Sequence, residues 1–436
     1  MKLQPTLIHL AAAMLVAGTA PAFAQANPAL DALREEIRQL RDEVNALKKA
    51  QAPATKPADS SGWGERIEQL EIKAKDTVVL GDIGGGFRLP GSETSVRLYG
   101  FAEAHVVHDI GRWGGADTFT DLTFQPVGSE VLANPALGLK GKTKLSAQTS
   151  RFGFETSTPT DTGAFNTKLE MDFYAYNGTE PGNNRNRLRL RHAYGEYGGF
   201  LVGQTWSTFM DLDNLPETVD FNGAIGAPFS RRTMVRYTYG DSKAGYKFAV
   251  ALEDPEDQFG GGSSHERTPQ LIARFDQSFD WGAINIRGLT HEKRSLSSTK
   301  RGYGIGVGGS YKLTDKDLLM AQYTRVDGDI DQLYGSNGYS IAGDGSISFD
   351  KNQGLVLGYA KTFSGQLRGT LAYGLNRGDS AQAVDNKQLQ QFFVNLIYSP
   401  IKNVELGGEI IIGERKTFAG EKGAMQRLDL MGRYAF

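Results

Sequence analysis

The chain contains no cysteine, so disulfides, thiolate nucleophiles and thiolate metal sites are all excluded. It also lacks long apolar runs. Beyond the first 24 residues nothing approaches the 18 or so consecutive apolar positions of a spanning helix. Charge of one sign is scarce too. With 48 basic and 50 acidic residues the formal charge is −2, which argues against a nucleic-acid-binding surface. The six histidines show no metal-ligand spacing, and no G-x-S-x-G element marks a hydrolase. No cofactor or metal is expected.

What the chain has in quantity is glycine, 54 residues, with 17 Tyr and 23 Phe. Glycine suits turns and tight walls, and aromatics suit interfacial girdles. A β-barrel would escape the apolar-run test, because only every second residue meets lipid.

Residues 1–24 read as a secretory signal. Lys2 supplies the positive end, Leu10 to Ala20 the apolar core and Ala22-Phe23-Ala24 the cleavage site. Removing it takes the charge from −2 to about −3. Residues 25–50 then carry a heptad seam of Leu30, Leu33, Ile37, Leu40, Val44 and Leu47. That predicts a coiled coil, with a lone amphipathic helix as the alternative. Three heptads are short for an isolated helix, so a partner strand is implied. Residues 51–86 form a Pro/Ala-rich linker and a short helix around Ile67, Leu70 and Ala74.

From about Val96 the period changes to two. Leu169, Met171, Phe173 and Ala175 alternate with Lys168, Glu170, Asp172 and Tyr174. Tyr246, Phe248, Val250 and Leu252 repeat the pattern, as do Tyr303 to Leu313 and Phe392 to Tyr398. Runs of about ten residues fit transmembrane strands. About 16 such runs fill residues 87–436. Tight connections such as Tyr197-Gly198-Gly199-Phe200 alternate with long ones such as 111–146 and 327–349. The last strand ends on Phe436, a terminal aromatic of the kind that outer-membrane proteins use in assembly. The predicted fold is an all-β transmembrane barrel of about 16 antiparallel strands behind an N-terminal α-helical coiled coil. It belongs in a bacterial outer membrane, with the coil in the periplasm.

Candidate functional residues sit on one strand. Arg185, Arg187, Arg189 and Arg191 are spaced by two and so share a face, with Leu188, Leu190 and Tyr194 on the other. An arginine facing hydrocarbon near the midplane costs about 2–4 kcal/mol, so these four are expected to face the lumen. Such a ladder concentrates anions. The alternative is structural arginine neutralised by Glu170 and Asp172. Residues 207–230 form a loop long enough to fold inward, which would set Asp211, Asp213 and Glu217 against the basic wall. An external loop making subunit contacts is the other possibility. Arg232 and Arg236, after that loop, share a face expected to be the lumen. Asp327, Asp329 and Asp331 faintly suggest a calcium loop but lack its remainder, so a solvated surface loop is expected. Gly304-Ile305-Gly306-Val307-Gly308-Gly309 lies in a strand pattern and reads as small wall residues.

Several segments resemble the DcaP-type porins, the dicarboxylate-uptake channels of Gram-negative outer membranes. They are Phe87-Arg88-Leu89-Pro90-Gly91-Ser92-Glu93-Thr94-Ser95-Val96-Arg97, Gln148-Thr149-Ser150-Arg151-Phe152-Gly153-Phe154 and Gly203-Gln204-Thr205-Trp206-Ser207-Thr208-Phe209. The order of coil, linker and barrel is also similar. The resemblance implies a trimer of 16-stranded barrels, held through the barrel wall and the coil. It also implies an arginine-lined constriction passing dicarboxylates and aromatic carboxylates, and adds Arg151 to the pore residues. The expected function is passive diffusion of small anionic solutes. A structural protein linking membrane and periplasm, or a barrel hydrolase, is the alternative.

Overall fold

The computed structural model describes residues 38–39, 42–43, 79–112, 122–175, 187–241, 245–256, 264–335, 338–380 and 382–436. It divides into two units, 1–77 and 78–436. Of the first, the four described residues are helical and exposed. The rest of the heptad segment, the signal and most of the linker lie outside the described residues.

The second unit is a closed antiparallel barrel. Its wall strands are β1 (Ser95–Arg112), β2 (Lys140–Ser146 continued by Arg151–Thr160), β3 (Gly163–Ala175), β4 (Arg187–Tyr197) and β5 (Phe200–Trp206). Next come β6 (Arg231–Asp241), β7 (Tyr246–Glu253), β8 (Gln270–Phe279), β9 (Gly282–Arg294), β10 (Thr299–Thr314) and β11 (Asp317–Asp327). The last are β12 (Lys351–Thr362), β13 (Leu367–Gly378), β14 (Asn386–Tyr398), β15 (Val404–Thr417) and β16 (Lys422–Ala435). Both lengths of β2 pair with β1, so they are one interrupted wall strand. β16 pairs with β1 over Arg427↔Asp109 to Ala435↔Phe101, which closes the barrel and removes its free edges.

The period-two segments form these strands because one face meets lipid and the other the lumen. Tyr246, Phe248, Val250 and Leu252 are 36–49% exposed, while Ala249 and Ala251 between them are buried. Short turns join strands at one end. At Gly198-Gly199 both residues take positive φ (58° and 86°), as a two-residue hairpin turn with matching twist requires. Long loops occupy the other end. In the first of these the wall resumes at Lys140, before the expected end of the loop at 146.

A 16-stranded barrel is wide enough to leave an aqueous channel. Here part of that space is filled by loops that turn inward. Leu122, Ala224, Ala227, Val356, Ala372, Leu389, Phe393, Ile411 and Met425 form a hydrophobic core inside the barrel. Two of its glycine contacts permit no side chain. A Cβ on Gly354 would lie 2.0 Å from the Gly226 carbonyl, and one on Gly374 would lie 2.2 Å from that of Ile225. The glycine run in β10 has the same purpose. A Cβ at Gly308 would meet Asp211 at 2.1 Å, and one at Gly304 would meet Leu289 and Phe209. The small wall residues are thus the seat of an inward loop.

Asp329 and Asp331 correct an expectation. They are fully buried, not solvated. Arg232 donates to Asp331 at 2.7 Å, and Gln270 donates to Asp329 at 2.7 Å. The short side chains and Gly328 let this loop turn into the barrel, where a buried cation partners the acid. No group of three or more His, Asp or Glu suited to a metal occurs among the described residues.

Candidate functional site

Loop 207–230 crosses the lumen and is anchored on the wall of β8 to β15. The Asp211 carboxylate accepts from Asn285 at 2.6 Å, and its carbonyl accepts from Gln322 at 2.9 Å. Arg287 donates to the Phe209 carbonyl at 2.9 Å. Glu217 receives two bonds of 2.8 Å from Arg368. Glu409 accepts the Val219 and Asp220 amides at 3.0 and 2.9 Å. With both ends on strands and its middle tied to the far wall, the loop forms one side of a cavity of about 650 Å³.

The other side is arginine. Arg151, Arg189, Arg191, Arg231 and Arg433 line the cavity, with Glu103 and the loop's Asp220 as its acids. Two further carboxylates stand behind the guanidiniums. Arg189 grips Asp172 through two bonds of 2.9 and 2.7 Å. Arg191 donates to Glu170 and to Asp172, each at 2.8 Å. Arg151 lies 3.4 Å from Glu170. The acids are deep, with Asp172 0% and Glu170 5% exposed, and Arg191 is as deep at 4%, whereas Arg189 is 31% and Arg433 32% exposed. Two-pronged pairing fixes each guanidinium plane, and a rigid strand holds the pair in place. The charges that a solute meets are therefore mainly positive, while the balancing acids are mostly shielded.

Aromatic rings pave the gaps. Tyr174 and the loop's Phe221 stack at 5.1 Å. Arg191 lies over Trp206 at 5.6 Å and Arg231 over the same ring at 4.5 Å. Phe101 carries Arg151 at 5.1 Å and Arg433 at 4.8 Å. Ring faces attract cations, so these contacts hold the arginines without cancelling their charge.

The family model of the DcaP outer membrane protein matches residues 93–436. The chain belongs to that family. The crystal structure of the outer membrane channel DcaP of Acinetobacter baumannii is similar, with a TM-score of 0.71 and 29% identity over 83% of this chain and 100% of that one. Salmonella typhi OmpF, solved in complex with daunomycin, shares the fold at a TM-score of 0.54 and 14% identity, covering 79% of this chain and 98% of its own. The trimer form of OmpT from Vibrio cholerae does so at 0.51 and 12%, covering 79% and 99%. No curated protein matches the chain. This DcaP-family barrel is an outer-membrane channel, and its relatives are channels rather than enzymes.

Within this channel the expected residues separate. Arg151, Arg189 and Arg191 meet at the cavity. Arg187 is exposed at the long-loop end of β4, and Arg185 lies outside the described residues. Arg232 is fully buried against Asp331, away from the cavity. Arg236 lies further down β6, opposite Leu201, and is not in the cavity lining.

The acids move too. Asp211 is fully buried 3.6 Å from Arg274, and Asp213 is 79% exposed 3.8 Å from the same guanidinium. Neither they nor Glu217 face the arginine wall. Loop anchoring turns them to the opposite wall, and Asp220 takes the position expected of them.

Tyr194 does not share a face with Leu188 and Leu190. Register shifts between Glu170 and Met171, where Arg191 and His192 both turn inward. That bulge reverses the phase, so Tyr194 pairs with inward Lys168. Arg231, Arg433 and Glu103 complete the lining. Arg231 adjoins a strand end, where alternation fails. Arg433 and Glu103 become neighbours only through closure of the barrel, which no local pattern encodes.

Proposed function

We propose that this channel passes small anionic solutes, with dicarboxylates and aromatic carboxylates as the favoured class, by passive diffusion through the arginine-lined cavity. The observation that carries the reading is the layering of charge. Five guanidiniums line the cavity, and two of the four nearby carboxylates lie behind them. Arginine stays charged at any working pH and presents a fork that matches a carboxylate. A carboxylate in the cavity can exchange from one guanidinium to the next. Loop 207–230 narrows the passage so that solutes cannot bypass the arginines. No energy coupling or cofactor is involved.

The working unit is a homotrimer, assembled through the barrel wall and an N-terminal coiled coil in the periplasm. Its support is the heptad seam from Leu30 to Leu47 and the family's resemblance to trimeric porins. The signal segment 1–24 directs export.

Liposome swelling tests the solute class. Vesicles carrying the protein should swell faster in a short dicarboxylate than in a diamine of equal length. Equal rates, or faster entry of the diamine, would count against the proposal.

A further inference from the structure

Cross-strand register places one continuous outward row on the barrel at its long-loop end. Arg325 of β11 pairs with Gln353 of β12, which pairs with Arg377 of β13. Arg377 pairs with Gln388 of β14, Gln388 with Lys416 of β15, and Lys416 with Lys422 of β16. Paired residues share a face, with neighbouring Cβ atoms about 4.5–5.5 Å apart. The face is the outer one, because Val326, Leu389 and Met425 in between are buried inward. Each of the six lies within two residues of its strand's long-loop end.

Four cations and two amides thus stand above the apolar band that includes Tyr323, Phe392 and Ile412, which are 41%, 53% and 53% exposed. Their acids are few. Arg325 lies 3.5 Å from Asp327, and Lys422 lies 3.2 Å from Glu414. Arg377 donates to Gln388 at 3.1 Å, an uncharged partner. The other side of the barrel differs. There the outward residues near the same rim include Leu188, Leu252 and Leu271, 53%, 49% and 44% exposed.

We propose that the row from Arg325 to Lys422 is a docking surface for the phosphate groups of a phosphorylated glycolipid in the outer leaflet. Long loops face outward in such barrels, which sets the row at headgroup depth on that side. Arginine and lysine pair strongly with phosphate, and clustered cations at a membrane surface attract anionic headgroups. The glutamines add donors for phosphate and sugar oxygens.

The test uses the full-length protein folded in detergent and diphosphorylated lipid A as the probe, read as the rise in melting midpoint with lipid concentration. Arg325→Gln with Arg377→Gln and Lys416→Gln should raise the half-saturating concentration at least about tenfold. Its channel conductance should stay unchanged, since the row lies outside the lumen. Dephosphorylated lipid A of the same acyl composition should act on the unmodified protein at least about tenfold more weakly. That arm needs no variant to fold. Equal half-saturation for the two lipids, or for protein and folded variant, would overturn the proposal. So would displacement of lipid A by inorganic phosphate at equal concentration, which would assign the row to free phosphate.

Discussion

The two halves of the lumen use the same residue types in opposite ways. Where the loop after β11 turns inward, Arg232 of β6 and Asp331 are both 0% exposed and pair at 2.7 Å. That pair is sealed from water. Loop 207–230 is anchored by Arg287 and Asn285, and Leu389 and Phe393 belong to a hydrophobic core inside the barrel. On the arginine side the carboxylates are buried but Arg189, Arg151 and Arg433 remain 23–32% exposed. Arginine thus serves as a fastener where both partners are dry, as at Arg232 and at the 4% exposed Arg191, and as a solute-facing surface where only the acid is dry, as at Arg189. Location in the closed barrel, not residue type, separates the roles.

The largest expected effect breaks the sealed side. Arg232→Ala leaves Asp331 buried without its guanidinium, a loss on the order of 3–5 kcal/mol. Denaturant unfolding of the folded protein in detergent should show a lower midpoint, and released loops should raise single-channel conductance. An unchanged midpoint would mean that the pair holds nothing together.

Next comes the open side. Arg189→Ala with Arg191→Ala removes two of five lining arginines and uncovers Glu170 and Asp172. Anion preference should fall and carboxylate flux with it, down to parity or a cation preference, as read from reversal potentials and swelling rates. A smaller, opposite change should follow Glu170→Gln with Asp172→Asn, which strips the hidden acids and strengthens anion preference. If both pairs of changes leave selectivity alone, the arginines are wall structure only, the alternative that the sequence itself posed. Deleting residues 25–62 should leave conductance nearly intact while weakening trimers in gel filtration. Lost conductance would place that segment in the pore.

The smallest effect is at the rim of the sealed side. Asp350, just before β12, is pushed up to about 6 by burial, with the Asp385 and Asp379 carboxylates adding to it. Since its folded value lies above the unfolded one, its contribution to stability is fully present below about pH 4 and lost as pH rises through about 6. Asp350→Asn should flatten the melting midpoint across that window. An unchanged pH profile would contradict the assignment.

Most of the barrel was legible because alternation is imposed by lipid on one face and water on the other. Tyr246 to Leu252 and Phe392 to Tyr398 follow it without exception. The pattern failed where geometry departs from a regular ladder. A single bulge at Arg191 and His192 brought both residues into the lumen and reversed Tyr194. The inward loops obey no period at all, so the burial of Asp329 and Asp331 and the turning of Asp211 toward Arg274 had no local signal. Gly304 to Gly308 did hold a clue: a row of missing side chains marks space that something else must fill. Arg433 joins Arg151 over Phe101 only because the last strand closes on the first.

The central claim is that lumen charge is set by exposed arginines in front of shielded acids. The reversal potential of the unmodified channel in a planar bilayer under a KCl gradient tests it most directly. The expected sign is that of chloride preference over potassium; a zero potential or potassium preference would contradict it.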